Sequence, residues 1–322
     1  MEDGSKQKTV SIIVPVFNNE LNLTHTVDQV IALSEAFKSK GYSFECIFVE
    51  DGSEDKSYEI LINLFEKNKN INIFKIIKLT KNFGQYYAIE AGIAQADGDY
   101  IGFISADLQD PINLFLEMAD KINNDTKLVI ARREKREDAG FNKYFAKLTH
   151  YLIKKYINSD FPNGGYDFCL FDKCIAKRVI DTKDRNGELA ILLLSFGYKH
   201  EVINYTRTKR ILGESGWTLS KKIKLFIDTF TSNSYIPLRF VSMIGAISAS
   251  LSAVYFLYIF IERLIGITYV QGWPTIVLLI TFYSGLILVS IGVIGEYIWR
   301  IMDGVKNHDR YIIENKIGFD ID

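Results

Sequence analysis

The sequence predicts an α/β protein: a mostly parallel sheet with flanking helices, followed by amphipathic segments and a C-terminal hairpin of two long apolar helices. Three observations predict it. Between Thr9 and Ala131 short apolar runs alternate with stretches of helical periodicity, the pattern of parallel strands covered on both faces by helices. Polar, acid-rich clusters stand where the apolar runs stop, above all Ser105-Ala106-Asp107-Leu108-Gln109-Asp110-Pro111. Two further apolar runs, about 236–261 and 274–299, are each long enough to cross ~30 Å of hydrocarbon at about 1.5 Å per residue.

In chain order, Val10–Val16 reads as the first strand, Glu20–Lys38 as a helix, Phe44–Val49 as a strand and Glu54–Lys67 as a helix. Ile71–Lys78, Phe83–Ala96, Tyr100–Ile104, Ile112–Ile122 and Leu128–Ala131 continue the alternation. Tyr100–Ile104 runs into the acidic cluster and stops before a proline, so those acids sit at a strand's C-terminal end, where open α/β sheets bind ligands. No G-x-G-x-x-G opens the first helix and no Walker lysine loop occurs, which removes the main support for a dinucleotide or P-loop site.

Bulk properties narrow the partners. The 322 residues carry 38 Lys and Arg against 39 Asp and Glu, a balance that argues against a general nucleic-acid binder. Cys46, Cys169 and Cys174 lack C-x-x-C spacing, so reduced thiols in a cytosolic compartment are expected, with Cys46 in the core. Met1 to Thr9 is short and polar, without the apolar region of a signal peptide, which predicts a first domain that stays in the cytoplasm.

Asp107, Gln109 and Asp110 offer hard oxygens over one turn and suit Mg²⁺ or Mn²⁺ shared with a diphosphate; equally, they read as loop-capping acids ahead of a helix. Asp51-Gly52-Ser53 reads as a turn and helix cap. Lys81 stands before a helix whose first amides and positive dipole end suit phosphate oxygens. Ala131 to Arg136 is a basic run at a strand end, and Asn163-Gly164-Gly165-Tyr166-Asp167-Phe168 a glycine-flexed approach to another acid.

Taken together, Asp107-Leu108-Gln109-Asp110-Pro111, Pro15-Val16-Phe17-Asn18-Asn19-Glu20, Glu50-Asp51-Gly52-Ser53 and Asn82-Phe83-Gly84-Gln85 resemble the family 2 glycosyltransferases of GT-A fold, specifically the polyprenyl-phosphate glycosyltransferases. The resemblance covers nearly the whole chain, with Ser105 in place of the first acid of the family's Asp-x-Asp and Phe17 and Asn19 in place of its more usual Tyr and Glu. It implies a Rossmann-like GT-A domain that takes a UDP- or GDP-linked sugar and transfers it with inversion to a dolichyl or undecaprenyl phosphate. Pro15, Phe17 and Asn19 would flank the base and Asp51 would accept from it. Lys81, Gln85, Ser105 and Ala106 complete the donor set, and Asp107 with Gln109 would hold Mg²⁺ or Mn²⁺. Arg133, Arg207 and Lys209 fall on the acceptor phosphate, and Asp107, Asp167, Arg207 and Arg210 on the reacting groups. Tyr205 to Trp217 resembles the family's mobile Arg-x-x-Arg-x-x-Gly-x-Ser segment, whose arginines grip phosphate in a bidentate way. The Gln-x-x-Arg-Trp signature of processive synthases is missing, which argues for single-sugar transfer. A catalytically silent nucleotide-sugar-binding membrane protein is the alternative, and a processive polysaccharide synthase a third. The family often forms tetramers, so a homo-oligomer is expected.

Phe141, Tyr144, Phe145, Leu148, Tyr151, Leu152 and Tyr156 fall at helical spacing with lysines on other faces, and Trp217–Phe230 repeats the theme; both suit a membrane surface, or else a helix packed on the sheet. The loop between the apolar runs carries only Glu262 and Arg263, whereas Lys221, Lys222 and Lys224 precede the first run, Arg239 stands at its start, and Arg300, Lys306 and Arg310 follow the second. The positive-inside rule then puts both termini in the cytoplasm of a multi-pass cell-membrane protein. The expected organisation is a cytoplasmic catalytic domain 1–213, an interface segment 214–235, a transmembrane hairpin 236–300 and a cytoplasmic tail 301–322.

Overall fold

Strands β1 (Thr9–Val16), β2 (Ser43–Glu50), β3 (Phe74–Leu79), β4 (Tyr100–Phe103), β5 (Leu128–Arg133), β6 (Phe168–Asp172), β7 (His200–Tyr205) and β8 (Ile313–Ile317) form one sheet in the order β7-β5-β6-β4-β1-β2-β3-β8. This is a computed structural model, and it describes residues 7–107, 109–134, 141–162, 166–182, 189–206, 226–227, 229–231, 234–265, 272–305 and 309–319. β1 is parallel to β2 and β4, β2 to β3, and β5 to β7, while β6 is antiparallel to both β4 and β5. β1, β2, β3, β4, β5 and β7 therefore point the same way and bring their C-terminal ends to one edge. The sheet is mixed rather than wholly parallel, because β6 returns between β4 and β5 and β8 closes the far side antiparallel to β3. Apolar periodicity marks which residues face a core but carries no strand direction.

Helices α1 (Leu23–Ser39), α2 (Ser57–Lys67), α3 (Gln85–Ala94), α4 (Leu114–Lys121), α6 (Lys173–Asp181) and α7 (Leu189–Ser195) cover the sheet, and α5 (Phe141–Tyr156) follows β5. α1 shows how the sequence chooses its buried face: Leu23, Val27, Val30, Leu33 and Phe37 recur at three- and four-residue steps and are all buried, one stripe of an amphipathic helix. It starts at Leu23 rather than at the expected Glu20, because Asn18 has φ 47° and Asn22 N–H donates to Asn19 C=O in a turn. The expected strand start at Ile71 is likewise a short 3-10 turn over Lys69–Ile71.

The tail beyond the apolar helices belongs to the sheet. β8 pairs with β3, Thr80 N–H donates to Ile312 C=O at 3.0 Å, and Lys78 pairs with Glu314 at 2.9 Å. Arg310 donates to the Glu90 carboxylate on α3 and to Thr182 C=O. Cys46 and Cys169 are buried, and all three cysteines are free thiols.

A second compact unit holds α8 (Ile236–Leu264, 29 residues) and α9 (Trp273–Val305, 33 residues). Among the described residues one stretch, Phe282–Trp299, is long and apolar enough to cross a membrane, and Ile236–Ser248 is a shorter apolar stretch. Leu251, Val254, Ile287, Leu288 and Ile298 all lie exposed, bare apolar side chains of the kind that call for a non-aqueous or protein partner. Within this unit, Tyr297 donates its hydroxyl hydrogen to Ser234 C=O at 2.7 Å.

Candidate functional site at the C-terminal strand edge

At the end of β1 the backbone is laced to its neighbours by polar side chains. Asn18 N–H donates to Ser53 Oγ at 3.1 Å, Asn18 Oδ1 accepts from Glu54 N–H at 2.9 Å, and Asn19 N–H donates to Ser57 Oγ at 2.9 Å. Asn19 Nδ2 also donates to Ala106 C=O at 2.9 Å, where Thr26 Oγ1 donates too, at 2.8 Å. The expected donor residues Asn19 and Ala106 thus meet directly. Pro15 lies within β1 opposite Val49, and Phe17, 45% exposed, presents its ring at the strand's end.

Asp51, almost fully buried, accepts from Phe83 N–H at 2.7 Å and Gly84 N–H at 2.9 Å. Burial pushes its carboxyl above the ordinary range, and these two amides pull only part of the way back. Gly52 has φ +65°, and a Cβ there would lie 2.4 Å from Asn82 N, so the loop after β2 and the loop before α3 are in close backbone contact. Gly84 caps α3 at φ 103°. Lys81 and Gln85 are both exposed beside it, and the Lys81 ammonium lies 5.2 Å from the Phe83 ring centroid.

Across the same edge, Ser105, Asp107 and Gln109 are half-buried, and Gln109 N–H approaches Asp107 Oδ1 at 3.4 Å. Among the described residues no group of three or more His, Cys, Asp or Glu is arranged to hold a metal ion. Asp107 and Gln109 fit a divalent ion as a partial set of hard oxygens, since Mg²⁺ commonly takes one or two carboxylates plus substrate phosphate and water.

A third group lies deeper. Arg133, at the end of β5, donates Nη2–H to Asp167 Oδ1 at 2.8 Å, so two residues expected on the acceptor side are joined. Burial disfavours the charged guanidinium, but Asp167 and its neighbours outweigh it and raise the Arg133 pKa; its Nε is buried with no partner among the described residues. Tyr205 Oη lies 2.7 Å from Asp167 Oδ2 and 2.6 Å from Oδ1 of Asp110, which is 4% exposed. Burial first, then the two carboxylates, drive the phenol pKa upward, which keeps it a neutral donor. Neither Tyr205 nor the burial of Asp110 was legible beforehand. The available signal was the alternation at the end of β7, where Ile203 and Tyr205 are buried and Val202 and Asn204 exposed. Arg207, Lys209 and Arg210 lie outside the described residues, as do Leu108 and all of 214–225.

Oxygen donors on one loop and a carboxylate-bound arginine, at the C-terminal edge of an α/β sheet, form a site suited to a charged ligand. Residues 11–183, over half of the chain, match the family described as Glycosyl transferase family 2, and the chain belongs to that family. It is 33% identical over 98% of its length to the Bacillus subtilis protein named uncharacterized glycosyltransferase YkcC, covering 96% of that protein. It is 31% identical over 97% to a Photorhabdus laumondii undecaprenyl-phosphate 4-deoxy-4-formamido-L-arabinose transferase, covering 95% of it. A Shigella flexneri prophage-derived bactoprenol glucosyl transferase is 32% identical over 95% of this chain and 97% of its own. Among solved structures, a Pyrobaculum calidifontis mannosyltransferase in complex with GDP-Man and Mn²⁺ aligns with TM-score 0.45 and 13% identity, over 95% of this chain and 89% of that one.

Proposed function

We propose that this glycosyltransferase moves one sugar from a UDP- or GDP-linked donor to a polyprenyl phosphate at the cytoplasmic face of a cell membrane, with inversion. The observation that carries the reading is the joining, in one chain, of a polar strand-edge site to two long helices with exposed apolar surface. One substrate dissolves in water and the other in lipid. The names of the undecaprenyl-phosphate and bactoprenol relatives support the same acceptor class. In the proposed topology α8 and α9 span the bilayer with both termini cytoplasmic, and α5 lies on its surface; Leu148 and Tyr151, 53% and 57% exposed, give α5 an outward apolar face.

In this reading a phosphate oxygen of the acceptor attacks the anomeric carbon, the new C–O bond forms, and the bond to the nucleoside diphosphate breaks with its electron pair. A phosphate monoester has a second pKa of about 6 and is already largely anionic at pH 7, so the chain's tasks are placement and charge control. Pro15, Phe17, Asn19 and Asp51 frame the base, with Lys81, Gln85, Ser105 and Ala106 along the diphosphate and sugar. Asp107 and Gln109 would hold Mg²⁺ or Mn²⁺, which would supply Lewis-acid stabilisation of the departing diphosphate. Arg133, oriented by Asp167, faces the acceptor phosphate, and Arg207, Lys209 and Arg210 screen the two anions from each other.

The test is to incubate membranes containing the protein with radiolabelled UDP- and GDP-sugars and extract with organic solvent. Label in a mild-acid-labile lipid is expected. Label in polymer would favour a processive synthase, and no label a silent nucleotide-sugar binder.

A further inference from the structure

We propose that Tyr205 is a positioning residue of the transfer site: its hydroxyl fixes the 105–110 loop relative to the Asp167–Arg133 pair, and so sets donor against acceptor. The proposal rests on the function proposed above and adds a residue to it. Tyr205 Oη stands 2.6 Å from Asp110 Oδ1 and 2.7 Å from Asp167 Oδ2, while Arg133 Nη2 holds the other oxygen of Asp167 at 2.8 Å. One oxygen ties three elements directly, the end of β7, the loop after β4 and the residue before β6, and through Asp167 it reaches a fourth, the end of β5. A phenol has one hydrogen, so it is shared between two acceptors, and loss of that oxygen releases both at once.

The hydroxyl is itself held from behind. The Tyr205 ring packs edge-on against Phe168 with centroids 5.4 Å apart, and Phe168 in turn against Phe115 at 5.3 Å. Both phenylalanines are fully buried. The Tyr205 C=O accepts from Glu134 N–H at 2.9 Å, which pins the backbone at the last β5–β7 pair, Arg133 with Tyr205. A merely structural core position would be filled more cheaply by phenylalanine than by a phenol facing two carboxylates, because buried polar groups gain little over apolar packing. Asp110 adjoins Gln109 in the chain, so the hydroxyl holds the loop that carries the proposed metal-binding oxygens. A misplacement of about 1 Å in such a constellation costs up to ~100-fold in rate.

The test compares wild type, Tyr205→Phe, Asp110→Asn and the double variant of the full chain in detergent. The acceptor is undecaprenyl phosphate, and the donor is whichever of a panel of UDP- and GDP-linked sugars labels lipid with wild type. For Tyr205→Phe we expect kcat to fall about 10- to 100-fold, with donor KM changed less than about threefold and the thermal midpoint within about 3 °C. The double variant should lose no more than the worse single, since both act through one contact. Wild-type kcat in Tyr205→Phe overturns the proposal, as does a loss shared by kcat, KM and midpoint with additive effects in the double. A wild type that labels lipid with none of these donors overturns the proposed function, and this inference with it.

Discussion

Replacing Gly52 by alanine tests whether the loops after β2 and before α3 form one packed unit at the donor edge. Gly52 has φ +65°, and an added Cβ would lie 2.4 Å from both Asn82 N and Lys81 C and 2.7 Å from Lys81 Cα. A left-handed backbone costs a non-glycine residue about 1–2 kcal/mol. The obstructing atoms are backbone, so the 81–84 loop must retreat by about 1 Å, an overpacking term of about 1–3 kcal/mol. That movement also stretches the Asp51 contacts to Phe83 and Gly84, now 2.7 and 2.9 Å. Gly41 supplies the control: its φ is +80°, but a Cβ there meets nothing within 4 Å, so Gly41→Ala carries only the backbone term. In thermal-shift measurements Gly41→Ala should lose about 2–8 °C and Gly52→Ala about 2–12 °C more than that, at about 2–4 °C per kcal/mol. Calorimetric titration with UDP or GDP, whichever wild type binds, should show weakened binding for Gly52→Ala alone. Equal midpoints for the two variants, or unchanged nucleotide affinity in Gly52→Ala, would refute the packed-loop reasoning.

Arg310→Met should destabilise the sheet unit by about 3–5 kcal/mol, because it strands the Glu90 carboxylate, 4% exposed, without its cation. Burial already raises the Glu90 pKa against the pull of Arg310, so the penalty should shrink in acid, where the carboxyl is protonated, and Glu90→Gln added to Arg310→Met should recover most of it in chemical denaturation. At Asp172 burial is outweighed by hydrogen bonds from Cys174 and Lys127, which lower the carboxyl pKa. Its contribution, about 1 kcal/mol as an N-cap, is therefore present above the ordinary carboxylate range and lost as pH falls through the depressed value; Asp172→Ala should narrow its gap to wild type below pH ~4. In the lipid-labelling assay Asp107→Ala should lower glycolipid formation at least about 100-fold, and excess chelator should do the same to wild type. Undiminished product in either case removes the metal role.

The strands nearest the site were readable because their apolar runs are dense: Val10–Val16 and Phe44–Val49 fall inside β1 and β2. β6 was not foreseen, although Phe168-Cys169-Leu170-Phe171 is apolar throughout, because five residues after a glycine-rich approach give too little periodicity to separate strand from loop. β8 hides its identity in another way. Only Ile313 and Ile317 are apolar, with Glu314, Asn315 and Lys316 exposed between them, the charged composition of an edge strand. Its place was beyond reach from sequence, since its pairing partner β3 lies more than two hundred residues earlier, on the other side of both apolar helices.

The site divides along the same line. Arg133 and Asp167 were each singled out, and the fold joins them across 34 positions; Tyr205 reaches Asp110 across 95, and no local pattern marks a tyrosine whose ring is core and whose hydroxyl is not. The assembled charges carry a further step. Asp107, Asp110 and Asp167 stand at the edge with Arg133 already engaged by Asp167, so these residues together bear an excess of negative charge. A diphosphate donor and a phosphate acceptor would be repelled from such a cluster at close range. Under the proposed function positive charge would come from Lys81, from a divalent ion at Asp107 and Gln109, and from the cations Arg207, Lys209 and Arg210 that follow Tyr205 in the chain. On that reading the acidic edge ties donor binding to the divalent ion, and chelation should weaken nucleotide affinity in calorimetric titration.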